Sequence, residues 1–234
     1  MEAVKGKENL FRTERLLFRG VESSDAAFIH ENIESDPVNH VLSYPTLVVP
    51  PSTQSSAGMV AMIEKSLLSV IICLQPSPDG DGEASDTPQS NGTRRADDRR
   101  GKPYTQQLVE NPTPIGYLCI NLGDHALPFD MKHNGNARLG IMLATQFQNK
   151  GYGTEAIKWA IDWSFRFVRM HSVRIESIGY NHRAHAVYRR LGLKVDGRLR
   201  EAHYHDRKWY DVVCMSILET EWEDMRASEK NKSD

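Results

Sequence analysis

The sequence predicts a mixed α/β fold, α+β in the way its strands and helices alternate. Three observations carry this. Short runs rich in β-branched and aliphatic residues, such as "SVIICLQ", "PIGYLCINL" and "VVCMSIL", have strand length and are bounded by turn residues. Other segments repeat apolar residues at helical spacing, most plainly "TEAIKWAIDWSFRFV". The order is strand, two helices, three strands, helix, strand, helix and two strands, with one strand-helix-strand crossover in the middle.

Along the chain, residues 1–12 are expected to be an N-terminal tail and residues 13–220 a single domain. "RLLFRGV" (Arg15 to Val21) is the first strand. In "ESSDAAFIHENI", Ser23 or Ser24 can cap a helix carrying Ala27, Phe28 and Ile33. A proline-marked loop runs from Pro37 to Pro51. Ser52 or Thr53 then caps a helix through "SAGMVAMIEKSLL", and "SVIICLQ" follows as a strand. From about residue 76 to 103 the composition turns to Pro, Gly, Ser, Asp and Arg without large apolar residues, the signature of a disordered insertion. Its "RRADDRRGK" is read as solvated loop. Strands "PIGYLCINL" (Pro114 to Leu122) and "ARLGIML" (Ala137 to Leu143) are joined by a long loop bearing Gly and Asn. A helix from about Thr154 to Val168, a strand from Ser172 to Gly179, a short helix closed by Gly192 and a final hairpin through "KVDGRLREAHYHDRKWYDVVCMSIL" complete the domain. Residues 221–234 are expected to be a C-terminal tail.

Composition excludes several classes. Lys plus Arg number 29 against 31 Asp plus Glu in 234 residues, so no basic surface points to nucleic acid or a membrane as partner. No apolar run reaches the roughly eighteen residues of a spanning helix, and the start lacks a signal-peptide core. A cytoplasmic or nuclear, non-secreted protein is expected. Cys73, Cys119 and Cys214 lie in apolar runs without metal-ligand spacing, which suits buried thiols in a reducing compartment, and no metal is expected. The "NGT" sequon at Asn91 is then an accident of composition.

The stretch "QNKGYGTEA" (Gln148 to Ala156) carries the first functional signal. Gly151 and Gly153 fall at a strand-to-helix turn, where backbone can approach a ligand and the first-turn N–H groups point outward with partial positive charge. An anion, most plausibly a phosphate, fits there. A tight turn alone is the competing reading. A nucleotide is a third reading of the loop and ranks last, because no Lys-Ser/Thr pair follows Gly153 and no G-x-G-x-x-G spacing is present.

Four stretches together resemble the GCN5-related N-acetyltransferase (GNAT) superfamily, in the branch of the ribosomal-protein alanine and spermidine acetyltransferases. They are "TERLLFRGVESSDAAFI", the Q-x-x-G-x-G loop in "QNKGYGTEA", "NHRAHAVYRRLGLKVDGRLRE" and "KWYDVVCMSIL". The resemblance implies a central, mostly antiparallel sheet with a splayed parallel strand pair, flanked by helices. It implies acetyl-CoA as co-substrate and a primary amine as acceptor, in a monomer or homodimer. The pyrophosphate would rest on Gln148, Asn149, Lys150, Gly151, Tyr152, Gly153 and Thr154. The pantetheine arm would add to the strand edge at Ile141, Met142 and Leu143. Asn181 would contact that arm or order the splay, and Tyr188 would act as general acid toward the departing thiolate.

Arg138, in "ARLG", stands where many relatives carry a glutamate base in an "AEIG"-like context. Replacement bases are His125 or His203, with Asp124, His133 and His205 as further candidates; a histidine near its ordinary pKa of about 6.5 suits the role. A CoA-binding protein without turnover is the alternative reading. Glu22, Asp25, Glu31, Glu34 and Asp36 form either an acidic wall for a cationic amine or a solvated helix face. Trp209 and Tyr210 either line the acceptor channel or fill the hairpin.

Overall fold

In a computed structural model, residues 10–42, 49–75, 112–122 and 134–231 are described. The expected insertion, Asn91, Asp124, His125 and His133 lie outside the described residues.

The chain runs β1 (Leu16–Gly20), α1 (Asp25–Ile29), α2 (Pro37–Leu42), α3 (Thr53–Glu64), β2 (Leu68–Leu74), β3 (Pro114–Leu122), β4 (Asn136–Leu143), α4 (Tyr152–Val168), β5 (Ser172–Ile178), α5 (His182–Arg190), β6 (Lys194–His205), β7 (Lys208–Leu218) and α6 (Glu219–Lys230). The strands form one seven-stranded sheet in the order β1-β2-β3-β4-β5-β7-β6. All neighbours are antiparallel except β4 and β5. The mixed order of elements is the one the sequence predicts, and the mostly antiparallel sheet with one parallel pair is the one the family resemblance implies.

Both faces of the first strands are covered, which is why they read as continuous apolar runs rather than alternations. Leu16, Phe18, Val70 and Ile72 join one core with residues of α4 to α6, whereas Leu17, Ile71 and Cys73 join a second with Ile29, Ile33, Val60 and Ile63. α3 starts at Ser52, whose hydroxyl accepts from Ser55 N while Ser55 reaches back to Ser52 N. Ser24 precedes α1 without a side-chain cap, and α1 continues into a π-helical turn, His30–Glu34.

Two segments differ from their expectation. Within the loop expected from Pro37 to Pro51, residues 37–42 form α2: Pro37 has no N–H to satisfy, and Asp36 Oδ1 accepts from Val38 N at 2.8 Å and Asn39 N at 3.3 Å. The stretch expected as a tail from 221 is helical to residue 230, because Trp222 is fully buried against α4, where Arg226 pairs with Asp162 at 2.6 Å. At the other end of the chain, Leu10 O accepts from Trp159 Nε1 at 2.9 Å, so residues 10–12 pack on the domain.

The feature that positions the site is the β4–β5 contact. Only Asn136↔Ser172, Ala137↔Val173 and Arg138↔Arg174 pair, although the strands are eight and seven residues long. Beyond Arg138 they diverge.

Candidate active site

The split exposes one edge of β4. Ala144 N donates to Ile115 O, so by antiparallel alternation the even-numbered residues of β4 bond toward β3, and Leu139, Ile141 and Leu143 turn their N–H and C=O groups toward the gap. Leu143 O agrees with this: it accepts from Gln148 Nε2 at 2.9 Å and from Asn39 Nδ2 at 3.2 Å.

The gap opens into a groove of about 420 Å³. Ile141, Met142, Leu143, Gln148, Asn149, Gly151, Gly153, Thr154, Asn181 and Tyr188 all line it. Lys150 and Tyr152 belong to the same loop but not to the wall. Lys150 lies 5.8 Å from the Phe147 ring centroid, and Tyr152 carries the Arg15 guanidinium at 4.8 Å.

At the groove's end α4 begins. Gly151 is its N-cap at φ +85°, a left-handed conformation that costs other residues about 1–2 kcal/mol. No side chain caps this terminus, in contrast to Ser52 at α3 and Asn181 at α5. The first-turn N–H groups therefore face the groove with the helix's partial positive charge. Glu155, which would oppose an incoming anion, is turned away. Burial pushes its carboxyl up, but this is outweighed by bonds from Thr13 Oγ1 at 2.6 Å and from Arg15 N and Nε at 3.0 and 2.7 Å, which lower it. Backbone donors, a glycine in the turn and an open strand edge fit a pyrophosphate with a pantetheine arm.

On the opposite wall Asn181 caps α5, its Oδ1 accepting from Ala184 N at 3.2 Å. Two turns on, Tyr188 is 8% exposed, and burial pushes its hydroxyl up to about 12. It has no hydrogen-bond partner among the described residues and lies in the groove wall. Such a phenol keeps its proton throughout the neutral range.

Of the proposed bases, His203 is buried, and its pKa is lowered by burial and then by His205. Its Nε2 is 3.4 Å from Tyr180 Oη, and Tyr180 donates to Val41 O at 2.6 Å. Tyr210 packs edge-on against Tyr180 at 4.7 Å, whereas Trp209 is exposed beside Tyr204. No group of three potential metal ligands occurs among the described residues.

The acidic stretch is largely structural. Asp25 is buried against Arg19, Asp36 caps α2, and Glu34 accepts from the Ser56 hydroxyl beside a cavity of about 290 Å³ that Met59, Met62 and Met142 also line. Groove residues not singled out from sequence include Asn39 and Arg183, and neither was Glu176, which neighbours the split. Arg183 donates to Gln148 and Asn149, and Glu176 lies across the split from Arg138. Asn39 lay in a segment read as loop, and the register across the split is a tertiary property.

The sequence profile of the acetyltransferase (GNAT) domain matches residues 15–194. A Bacillus subtilis (strain 168) protein, YdaF, whose name places it among ribosomal N-acetyltransferases, is 31% identical over 108 residues, 46% of this chain and 57% of that one. The spermidine N(1)-acetyltransferase of Escherichia coli (strain K12) is 26% identical over 86 residues, 37% of this chain and 46% of its own. The chain thus spans about half the length of the curated relatives it matches. Among solved structures, an acetyltransferase (GNAT family) from Bacillus anthracis superposes with TM-score 0.61 at 16% identity, covering 90% of this chain and 98% of that one. The microcin C7 self-immunity acetyltransferase MccE, solved with acetyl-CoA and AMP, gives 0.60 at 17%, covering 88% and 93%. A domain match across most of the chain makes this chain a member of the GNAT acetyltransferase family.

Proposed function

We propose that the chain is an N-acetyltransferase that moves an acetyl group from acetyl-CoA to a primary amine, by direct attack in a ternary complex. The observation that carries the reading is the β4–β5 split, which opens a groove ending at the uncapped α4 N-terminus and walled in part by Tyr188. When bound, acetyl-CoA supplies a thioester whose carbonyl carbon accepts the amine. The α4 first turn and the Gln148–Thr154 loop hold the pyrophosphate by backbone N–H groups. Ile141 and Leu143 offer main-chain groups to the pantetheine arm as an added strand would, and an N–H there can stabilise charge gathering on the carbonyl oxygen. Tyr188 donates its proton to the departing sulfur. Among the described histidines, His203 is the candidate to take the amine's proton.

The relatives' names support a peptide N-terminus or a polyamine as acceptor, with other small amines within the same chemistry. Residues 13–220 would act as one catalytic domain in the cytoplasm. Arg138 favours a second reading, a CoA-binding protein without turnover. Calorimetry with acetyl-CoA, beside a CoA-release assay over polyamines, aminoglycosides, arylamines and short peptides, separates the two. Binding with turnover on one class is expected; binding without turnover on any would favour the second reading, and no binding would overturn both.

A further inference from the structure

β4 carries no acidic side chain between Asn136 and Leu143. β5, on the other side of the split, carries one. Glu176 Oε2 lies 3.8 Å from Arg138 Nη1, and since Arg138 pairs with Arg174, Glu176 stands level with Gly140, just past the last paired residues. Val173 and Ile175 point into the core beneath α4, so Glu176 points to the opposite face, on the side of α1 and α3. Gly140 puts no side chain between this carboxylate and the open β4 edge.

The Glu176 side chain is only 10% exposed, yet no hydrogen bond from a described residue reaches it, and its one ion pair is long. Carboxylates removed from water are normally held by several donors. A carboxylate so enclosed and so sparsely satisfied suits a group that must be open to a cation.

We propose that Glu176, in place of His203, faces the incoming amine and receives its proton. This rests on the acetyltransferase reading, which puts the thioester at the narrow end of the split when the pyrophosphate sits at α4. In the step, the ammonium first gives one proton through Glu176 to solvent, and the freed lone pair forms the N–C bond to the carbonyl carbon. The C–S bond breaks with its electron pair on sulfur, the N–H proton passes to a Glu176 carboxylate oxygen, and sulfur takes the Tyr188 proton. Solvent then returns a proton to Tyr188 and removes one from Glu176. Arg138 is a positioning residue that draws the carboxylate across the split.

The test compares wild type with Glu176→Gln, using acetyl-CoA with spermidine and with an alanyl peptide. Turnover near pH 7 should fall about 100-fold, and the deficit should shrink toward pH 10, where more of the amine arrives neutral. By calorimetry, amine affinity for the enzyme–CoA complex should fall about tenfold while CoA affinity stays within about threefold. Arg138→Gln/Glu176→Gln, which leaves no unpaired charge, should show the same turnover loss if the single variant folds poorly. Turnover within about threefold of wild type, or a loss that does not change with pH, overturns the proposal. A pH-dependent loss in His203→Asn but not in Glu176→Gln gives the role to His203 and likewise overturns it. Wild type that binds neither CoA nor amine would instead overturn the acetyltransferase reading itself.

Discussion

Arg183 Nη2 donates to Gln148 Oε1 at 2.6 Å, and this fixes which way the Gln148 amide points. Its nitrogen is left to donate to Leu143 O at 2.9 Å and to Asn39 Oδ1 at 2.8 Å, while Asn39 Nδ2 also reaches Leu143 O. One glutamine thus ties α5, α2 and the open edge of β4 together. Gln148→Ala removes three hydrogen bonds and is expected to lower stability by about 1–3 kcal/mol. Acetyl-CoA affinity should fall about tenfold with it, read by thermal melting and calorimetry.

Gly151→Ala tests the turn. The position has φ +85°, and an added Cβ would stand 3.1 Å from Arg15 Nη2. A stability loss of about 1–2 kcal/mol is expected, with weaker acetyl-CoA binding. Gly153→Ala is the comparison, since its Cβ would meet Leu143 Cδ1 at an ordinary 3.5 Å. Affinity lost in Gly153→Ala without loss of stability would report the closeness of the ligand to the backbone.

Tyr188→Phe should reduce turnover about 100-fold and leave acetyl-CoA affinity nearly unchanged. Burial holds the hydroxyl at about 12, so Tyr188 itself should produce no alkaline fall in the wild-type rate below that range. The stability sign follows from the same shift. A phenol raised above its unfolded value of about 10 stabilises the fold fully below pH 10, and that contribution fades as pH climbs toward 12. Unchanged turnover in Tyr188→Phe would remove it from the acid role.

His185 predicts behaviour at the other end of the pH scale. It is 4% exposed, its Nε2 has no partner among the described residues, and burial lowers its pKa, helped by Arg189, His182 and Arg198. A histidine depressed in the fold contributes stability above its unfolded pKa of about 6.5 and loses it as pH falls. His185→Leu should therefore flatten the decline in melting temperature below about pH 6.5. His203, shifted the same way, leaves part of that decline in place.

The strands, α4 and the glycine loop were legible because their signals are local: apolar runs of strand length, a helical period and a turn with Gly151 at its helix start. α2 was locally encoded too, in the Asp36–Pro37 start, but the prolines around it read as loop. α6 was harder, since its first turn is acidic and only Trp222 shows the buried face. The acidic residues before α2 look alike in sequence and do different work in the fold: Asp25 neutralises Arg19, Asp36 caps a helix and Glu34 meets Ser56. Arg138 was visible as a departure from the family's pattern, yet its partner Glu176 was not. Which residues face each other across β4 and β5 depends on a parallel register set through the intervening crossover.

The early end of the β4–β5 ladder also divides the sheet mechanically. Four strands lie on one side of the seam and three on the other, joined by three residue pairs at one end. Amides of Ile141 and Leu143 sit mid-sheet yet should exchange with deuterated solvent as edge amides do. Filling the seam should slow that exchange, so the two amides would report occupancy of the groove without any assay of turnover.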